Sequence, residues 1–226
     1  MTGALPDMTP FFARYEAFAR EADALFEHIR GQFPELVVCR EQCSSCCHAL
    51  FDLSLVEALY LNKAFLERIP EGSARAAVLE AADAADRHTA RIKRKVFKES
   101  QAGKDSNELL AEVAALTVRC PLLDKDDRCL LYEVRPITCR LYGVPTAIGG
   151  KAHTCGKTGF VQGEAYPTVA LDKIQQRLTL LSEELATTIG TAYTQLASMY
   201  VPVSTALLTV YDAAYLGIGG IRKEKD

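Results

Sequence analysis

Eight cysteines, Cys39, Cys43, Cys46, Cys47, Cys120, Cys129, Cys139 and Cys155, fall between positions 39 and 155 of a 226-residue chain, the first four within nine positions. Thiols that fill a core scatter along a sequence, whereas thiols that bind metal cluster. Disulfides are the competing explanation, but they are rare in a reducing cytosol. A chain of this length also buries enough core to dispense with the covalent staples that domains below about 80 residues use. Met1–Pro10 has neither the basic n-region nor the apolar h-region of a secretory leader, so a cytoplasmic location is expected. The pattern therefore predicts metal binding through thiolates.

Spacing narrows the options. In Cys39-x3-Cys43-x2-Cys46-Cys47, a helix would place all four sulfurs within an arc of about 100°. The same helix would hold Cys39 and Cys47 about 12 Å apart along its axis, whereas tetrahedral zinc gathers sulfurs within about 4 Å of one another. Either the segment is a knuckle-like loop or its cysteines divide between two centres. Adjacent Cys46 and Cys47 favour division, because consecutive side chains diverge. The remaining cysteines, in Cys120-Pro121, Cys129, Cys139 and Cys155, are widely spaced. Eight thiols suffice for two four-thiolate sites, or for one iron–sulfur cluster with further thiols beside it. Zinc and iron both suit such ligands.

The rest of the chain predicts an all-α or α-rich fold, with helices packed around an irregular cysteine-rich segment. Phe12, Tyr15, Phe18, Ala19, Ala22, Leu25, Phe26 and Ile29 recur at helical steps over residues 9–30. A second helix is expected from an N-cap at Asp52 or Ser54 to Ile69, and a long alanine-rich one from a cap at Ser73 to about Ser100. A short helix is expected over 107–118. From Cys120 to Tyr166 the prolines and glycines forbid any long helix, leaving room for a hairpin at Ala147–Ala152 around Gly149-Gly150. Helix is expected to return over 168–189 and again over 204–216. The reading is one domain, 1–226, with a chelating region at 39–155 flanked by helical stretches at 9–30 and 168–216. So irregular a segment repays its ordering entropy poorly through hydrogen-bond ladders, and a bound metal would hold it.

Composition excludes other classes. Lys plus Arg number 26 and Asp plus Glu 29, so the basic excess of a nucleic-acid binder is absent. The weakly charged stretch Tyr193–Tyr211 is interrupted by Thr194, Gln195, Ser198 and Pro202, which reads as core rather than membrane span. Gly149-Gly150-Lys151 lacks the rest of a phosphate loop, and no Gly-x-Ser-x-Gly or His-Glu-x-x-His motif occurs. The basic run Arg91, Lys93, Arg94, Lys95 and Lys98 reads as a solvated helix face. Asp124–Asp127 reads as a polar turn rather than a cation loop. His48 and His153 are expected to cap or face solvent, with eight cysteines available as ligands.

Cys39–Cys47, Cys120-Pro121-Leu122 and Cys129-Leu130-Leu131-Tyr132-Glu133-Val134-Arg135-Pro136-Ile137-Thr138-Cys139-Arg140 together resemble a widespread bacterial zinc- or iron-chelating domain. That family is named for a Cys-x2-Cys-x2-Cys-Cys run and carries a Cys-x-x-Tyr-x-x-Arg-Pro-x-x-Cys-Arg run in its second half. The resemblance covers residues 39–155. It departs at the first gap, where three residues rather than two separate Cys39 from Cys43. It implies chelation of zinc or iron by the eight cysteines, with no reaction assigned. It also points to flagellin lysine methylases, in which a related region accompanies an iron–sulfur cluster.

Two classes remain open: a zinc-stabilised module that meets a protein partner, and an iron–sulfur redox or protein-modification enzyme. No glycine-rich loop for S-adenosylmethionine is present. Around the thiolates, Arg135 and Arg140 are candidate charge-balancing groups, with pairing to Glu133 or Asp124 as the alternative for Arg135. Pro136 suits the start of a short helix that carries Cys139, and Tyr132 reads as a packed core ring.

Overall fold

The computed structural model describes residues 5–105, 108–109, 112–113 and 116–219. The long first helix, α1 (Thr9–Gln32), buries Tyr15, Ala19, Ala22 and Ile29 of the expected stripe, with Phe11 rather than Phe12 as its first buried ring and Leu25 exposed. The next, α2 (Leu55–Arg68), is the spine of the fold. Its Leu55, Val56 and Leu59 join one core cluster, and its Ala58, Leu61, Ala64 and Phe65 join another. At about 100° per residue these two sets occupy opposite faces, so α2 is buried on both sides.

The first cluster packs α2 against α1 and against α5 (Leu171–Thr188), through Leu178, Leu181 and Leu185. The second packs it against α3 (Ser73–Gln101) and α6 (Val203–Leu208), through Val78, Ala82, Ala206 and Leu207. Between α3 and α5 the short helix α4 (Ile137–Leu141) follows Pro136 and lies against α1. The fold is α-rich, as the sequence predicts, with six named α-helices among the described residues.

Strands are few and short. β1 (Asp52–Leu53) pairs antiparallel with β5 (Val201–Pro202). β2 (Thr146–Ile148) and β3 (Lys151–His153) form the expected hairpin, and β4 (Val169–Ala170) adds parallel to β2. Gly149 and Gly150 turn that hairpin with φ 56° and 74°, the left-handed pair that a tight two-residue turn requires. The Gly149 N–H is held at 2.8 Å by Asp172 in the first turn of α5.

Three boundaries differ from the sequence reading. Gly72, with φ 116°, is the N-cap of α3, so Ser73 is its first residue and not its cap. Thr168–Ala170 does not begin a helix, because Val169 and Ala170 are taken up by the sheet and α5 starts at Leu171. The expected helix over 204–216 ends at Leu208, where the Asn62 side-chain amide donates to the carbonyls of Ala206 (2.9 Å) and Thr209 (3.1 Å). A carbonyl satisfied from outside no longer needs the next turn of helix. Of the expected helix over 107–118, residues 108, 109, 112 and 113 are helical and 116–118 are not, because Thr117 bridges Ala49; residues 107, 110, 111, 114 and 115 lie outside the described residues. Among those described, no helix is long and apolar enough to cross a membrane.

Glu57 ties three elements together from a buried position. One carboxylate oxygen accepts the backbone N–H and the hydroxyl of Ser54 (3.2 and 2.9 Å), capping α2. The other accepts the Ile137 N–H at 3.2 Å, at the start of α4, and the Tyr15 hydroxyl of α1 at 3.5 Å. Burial pushes its pKa up, against the opposing effect of these donors. Replacing Glu57 by Ala strands buried donors and is expected to cost about 3 kcal/mol in denaturant unfolding.

Because the folded pKa is raised, Glu57's contribution is complete below its unfolded value of 4.5 and fades as pH rises through the folded value. Stability measured against pH should therefore fall relative to Glu57→Gln above about pH 4.5, and parallel curves would contradict this.

Candidate metal centre

The namesake cysteines occupy a loop that tightens into a 3₁₀ turn over Ser45–His48, so the knuckle-like alternative describes the segment and a continuous helix does not. The additional residue between Cys39 and Cys43 is absorbed in a turn, Cys43 N–H to Arg40 C=O at 3.0 Å. Gln42 adopts φ 65° within that turn, a left-handed conformation uncommon for a residue with a side chain.

Backbone pairing brings the second cysteine set to the first. Ala49 bridges Thr117, the Val118 N–H donates to the His48 carbonyl at 3.1 Å, and the Cys120 N–H donates to the Cys47 carbonyl at 2.7 Å. Cys129 is folded back beside Cys120 by a bridge from Leu123 and by the Leu130 N–H to Leu122 C=O bond of 2.8 Å. The intervening turn is organised by Asp124, whose carboxylate accepts the N–H groups of Asp126 and Arg128, both at 2.8 Å. This is the polar turn predicted for 124–127. Cys139 arrives from a third direction, on α4, after Pro136 at the N-cap.

Five thiols, those of Cys46, Cys47, Cys120, Cys129 and Cys139, line one cavity of about 50 Å³ together with Arg135. Its other walls are largely apolar and include Phe51, Leu122, Leu131 and Val203. Cys39, Cys43 and Cys155 are not among the lining residues. All eight cysteines are free thiols. Among the described residues, no three His, Cys, Asp or Glu side chains already stand at ion-holding spacing, so an ion would have to draw the thiols in.

The cavity thiols alternate in character. A hydrogen bond from Cys139, with a second from Cys47, holds Cys46 well below the usual thiol range. Cys129 is likewise lowered, chiefly by Cys47, and the Arg135 charge lowers both. The donors Cys47 and Cys139 are raised in turn. Burial pushes Cys120 up to about 12. A thiophilic cation fits this donor set chemically, because some sulfurs carry negative charge and the rest release protons on coordination.

The two arginines divide in role. Arg140 is buried, and its guanidinium is engaged by Asp23 of α1, by the Glu133 carbonyl (2.6 Å) and by the Arg135 carbonyl (2.9 Å). It fastens the cysteine-bearing segment to α1. Arg135 pairs with Asp23 at 3.2 Å, not with Glu133 or Asp124, and borders the thiols.

Tyr132 is not a core ring: it is 57% exposed and lies beneath the Arg135 guanidinium, 4.0 Å from ring centroid to Cζ. His48 donates locally from Nδ1 to the Ser44 carbonyl at 3.0 Å, and His153 is exposed in β3. Asp23 carried no sequence signal, since it reads as an ordinary helix carboxylate; Glu57 carried one, standing three residues after Ser54 as a capping box requires.

Helices packed around a cavity of clustered free thiols define, as a class, a cysteine-rich helical domain. Residues 38–156 match the CxxCxxCC family, described as "Putative zinc- or iron-chelating domain". That match spans more than half of the chain, and the chain belongs to this family. No curated protein and no solved structure matches it.

Arg140→Ala is expected to lower unfolding free energy by about 2 kcal/mol or more, because it strips a buried group from three acceptors. Arg135→Ala should cost less, at about 1 kcal/mol, since its partners are partly solvated. Equal losses in chemical denaturation would overturn this division.

Proposed function

We propose that the protein chelates zinc or iron through the thiolates of Cys46, Cys47, Cys120, Cys129 and Cys139, with Cys39, Cys43 and Cys155 adjoining. The observation that carries this reading is the cavity itself: three separate stretches of chain deliver five thiols to one cavity that Arg135 also lines. Arg135 offsets the negative charge that gathered thiolates would accumulate. The metal would supply the ordering free energy that the irregular segment lacks. A cytoplasmic setting keeps such thiols reduced, and a protein is the partner class that a metal-stiffened module of this kind serves.

A second reading, an iron–sulfur centre supporting redox or protein-modification chemistry, is favoured by one feature. Five cavity thiols exceed the four that close a tetrahedral ion. The surrounding apolar walls would also limit water at such a centre.

Protein purified without oxygen should carry at least about one equivalent of zinc or iron, and Cys129→Ser should lose the metal held in the cavity. Metal analysis that finds neither would sink the chelation reading. The visible spectrum before and after dithionite separates the two chemistries: zinc, being d¹⁰, leaves it flat, whereas an iron–sulfur centre is coloured and bleaches.

A further inference from the structure

The cavity accounts for five of the eight thiols. We propose that Cys39, Cys43 and Cys155 form a second, separate thiolate site that holds its own thiophilic ion beside the five-thiol cavity. This rests on the chelation reading above and deepens it by assigning the cysteines to two groups.

Three observations divide them. None of the three lines the cavity. Cys39 packs against the cluster built on α1 and α5, whereas Cys120 and Cys129 pack against the cluster built on α3 and α6. The turn that accommodates Gln42 at φ 65° returns Cys43 onto Cys39, and their thiols interact. Cys155, buried after β3, lies close enough for its charge to be felt at Cys39. Cys46 also lies within that range, so the two groups adjoin, and Cys46 marks their boundary by lining the cavity.

Gly143 makes the Cys39 position available. A Cβ at 143 would stand 2.1 Å from the Cys39 sulfur and 3.2 Å from Phe26 Cε2, so any larger residue claims the space of the sulfur. Gly143 does not adopt a positive φ, so alanine fits its backbone and the substitution presses first on the Cys39 sulfur and, less closely, on the Phe26 ring. Three thiolates satisfy a tetrahedral ion except for one position, which water fills. The loop over 38–44 holds no helix or strand, so closing it on an ion breaks no helix or ladder.

The test titrates full-length protein, reduced and metal-free, with Co²⁺ and then Zn²⁺, reading thiolate charge-transfer absorption and bound metal per chain. Cys39→Ser and Gly143→Ala are each expected to lose about one equivalent and keep the remaining charge-transfer signal. Cys129→Ser should do the reverse, and the Cys39→Ser/Cys129→Ser pair should lose both. Circular dichroism of each variant establishes folding, and Gly143→Ala keeps every cysteine in place should Cys39→Ser misfold. Loss of all metal in either Cys39→Ser or Gly143→Ala would show a single centre and overturn the proposal. Loss of none in both would show that the three thiols are not ligands. Wild-type protein that binds neither metal would instead overturn chelation itself.

Discussion

The structure depends on a short length of backbone pairing that joins two parts of the chain about seventy residues apart. Hydrogen bonds from Val118 and Cys120 to the carbonyls of His48 and Cys47 lay the second cysteine stretch against the first. Neither stretch has regular structure enough to stand alone, and each uses the other to satisfy its peptide groups. Without this seam, Cys46 and Cys47 would face solvent, and Cys120 and Cys129 would belong to an unrelated loop. With it, the thiols share a wall.

Around the seam the helices act as a brace, and the brace is polar at its critical points. Glu57 reaches from α2 to the first turn of α4, and Asp23 reaches from α1 to Arg135 and Arg140. Both carboxylates therefore control where α4, and with it Cys139, meets the other cysteines. Buried polar contacts of this type hold position better than apolar packing does, because a hydrogen bond broken inside the fold leaves a donor with no water to replace its partner. The placement of the cavity thiols is thus held by residues that are not themselves cysteines.

Much of this was legible in advance, for identifiable reasons. The stripe of Tyr15, Ala19, Ala22 and Ile29 and a helix N-cap at Ser54, one of two positions expected, are local patterns, and local patterns survive into the tertiary structure. The paired glycines 149 and 150 announced the hairpin because only glycine enters that turn cheaply. Errors arose where a distant group intervened. Asn62, from α2, ends α6 early, and Arg135 draws Tyr132 onto the surface when its phenol ring alone suggested burial. Asp23 could not be chosen among many helix carboxylates, since its partners lie more than a hundred positions away.

What the sequence determined by itself was the chemistry and the class: clustered cysteines, a helical frame, and membership of a zinc- or iron-chelating family over residues 38–156. Residue identity and short-range spacing carry those facts, and neither needs three dimensions. Only the tertiary structure decided which thiols meet, separating the cavity set from Cys39, Cys43 and Cys155. It alone also decided that Arg140 clamps the fold while Arg135 borders the sulfurs. Such choices rest on contacts between segments far apart along the chain, and no periodicity records which of many similar side chains will be brought together.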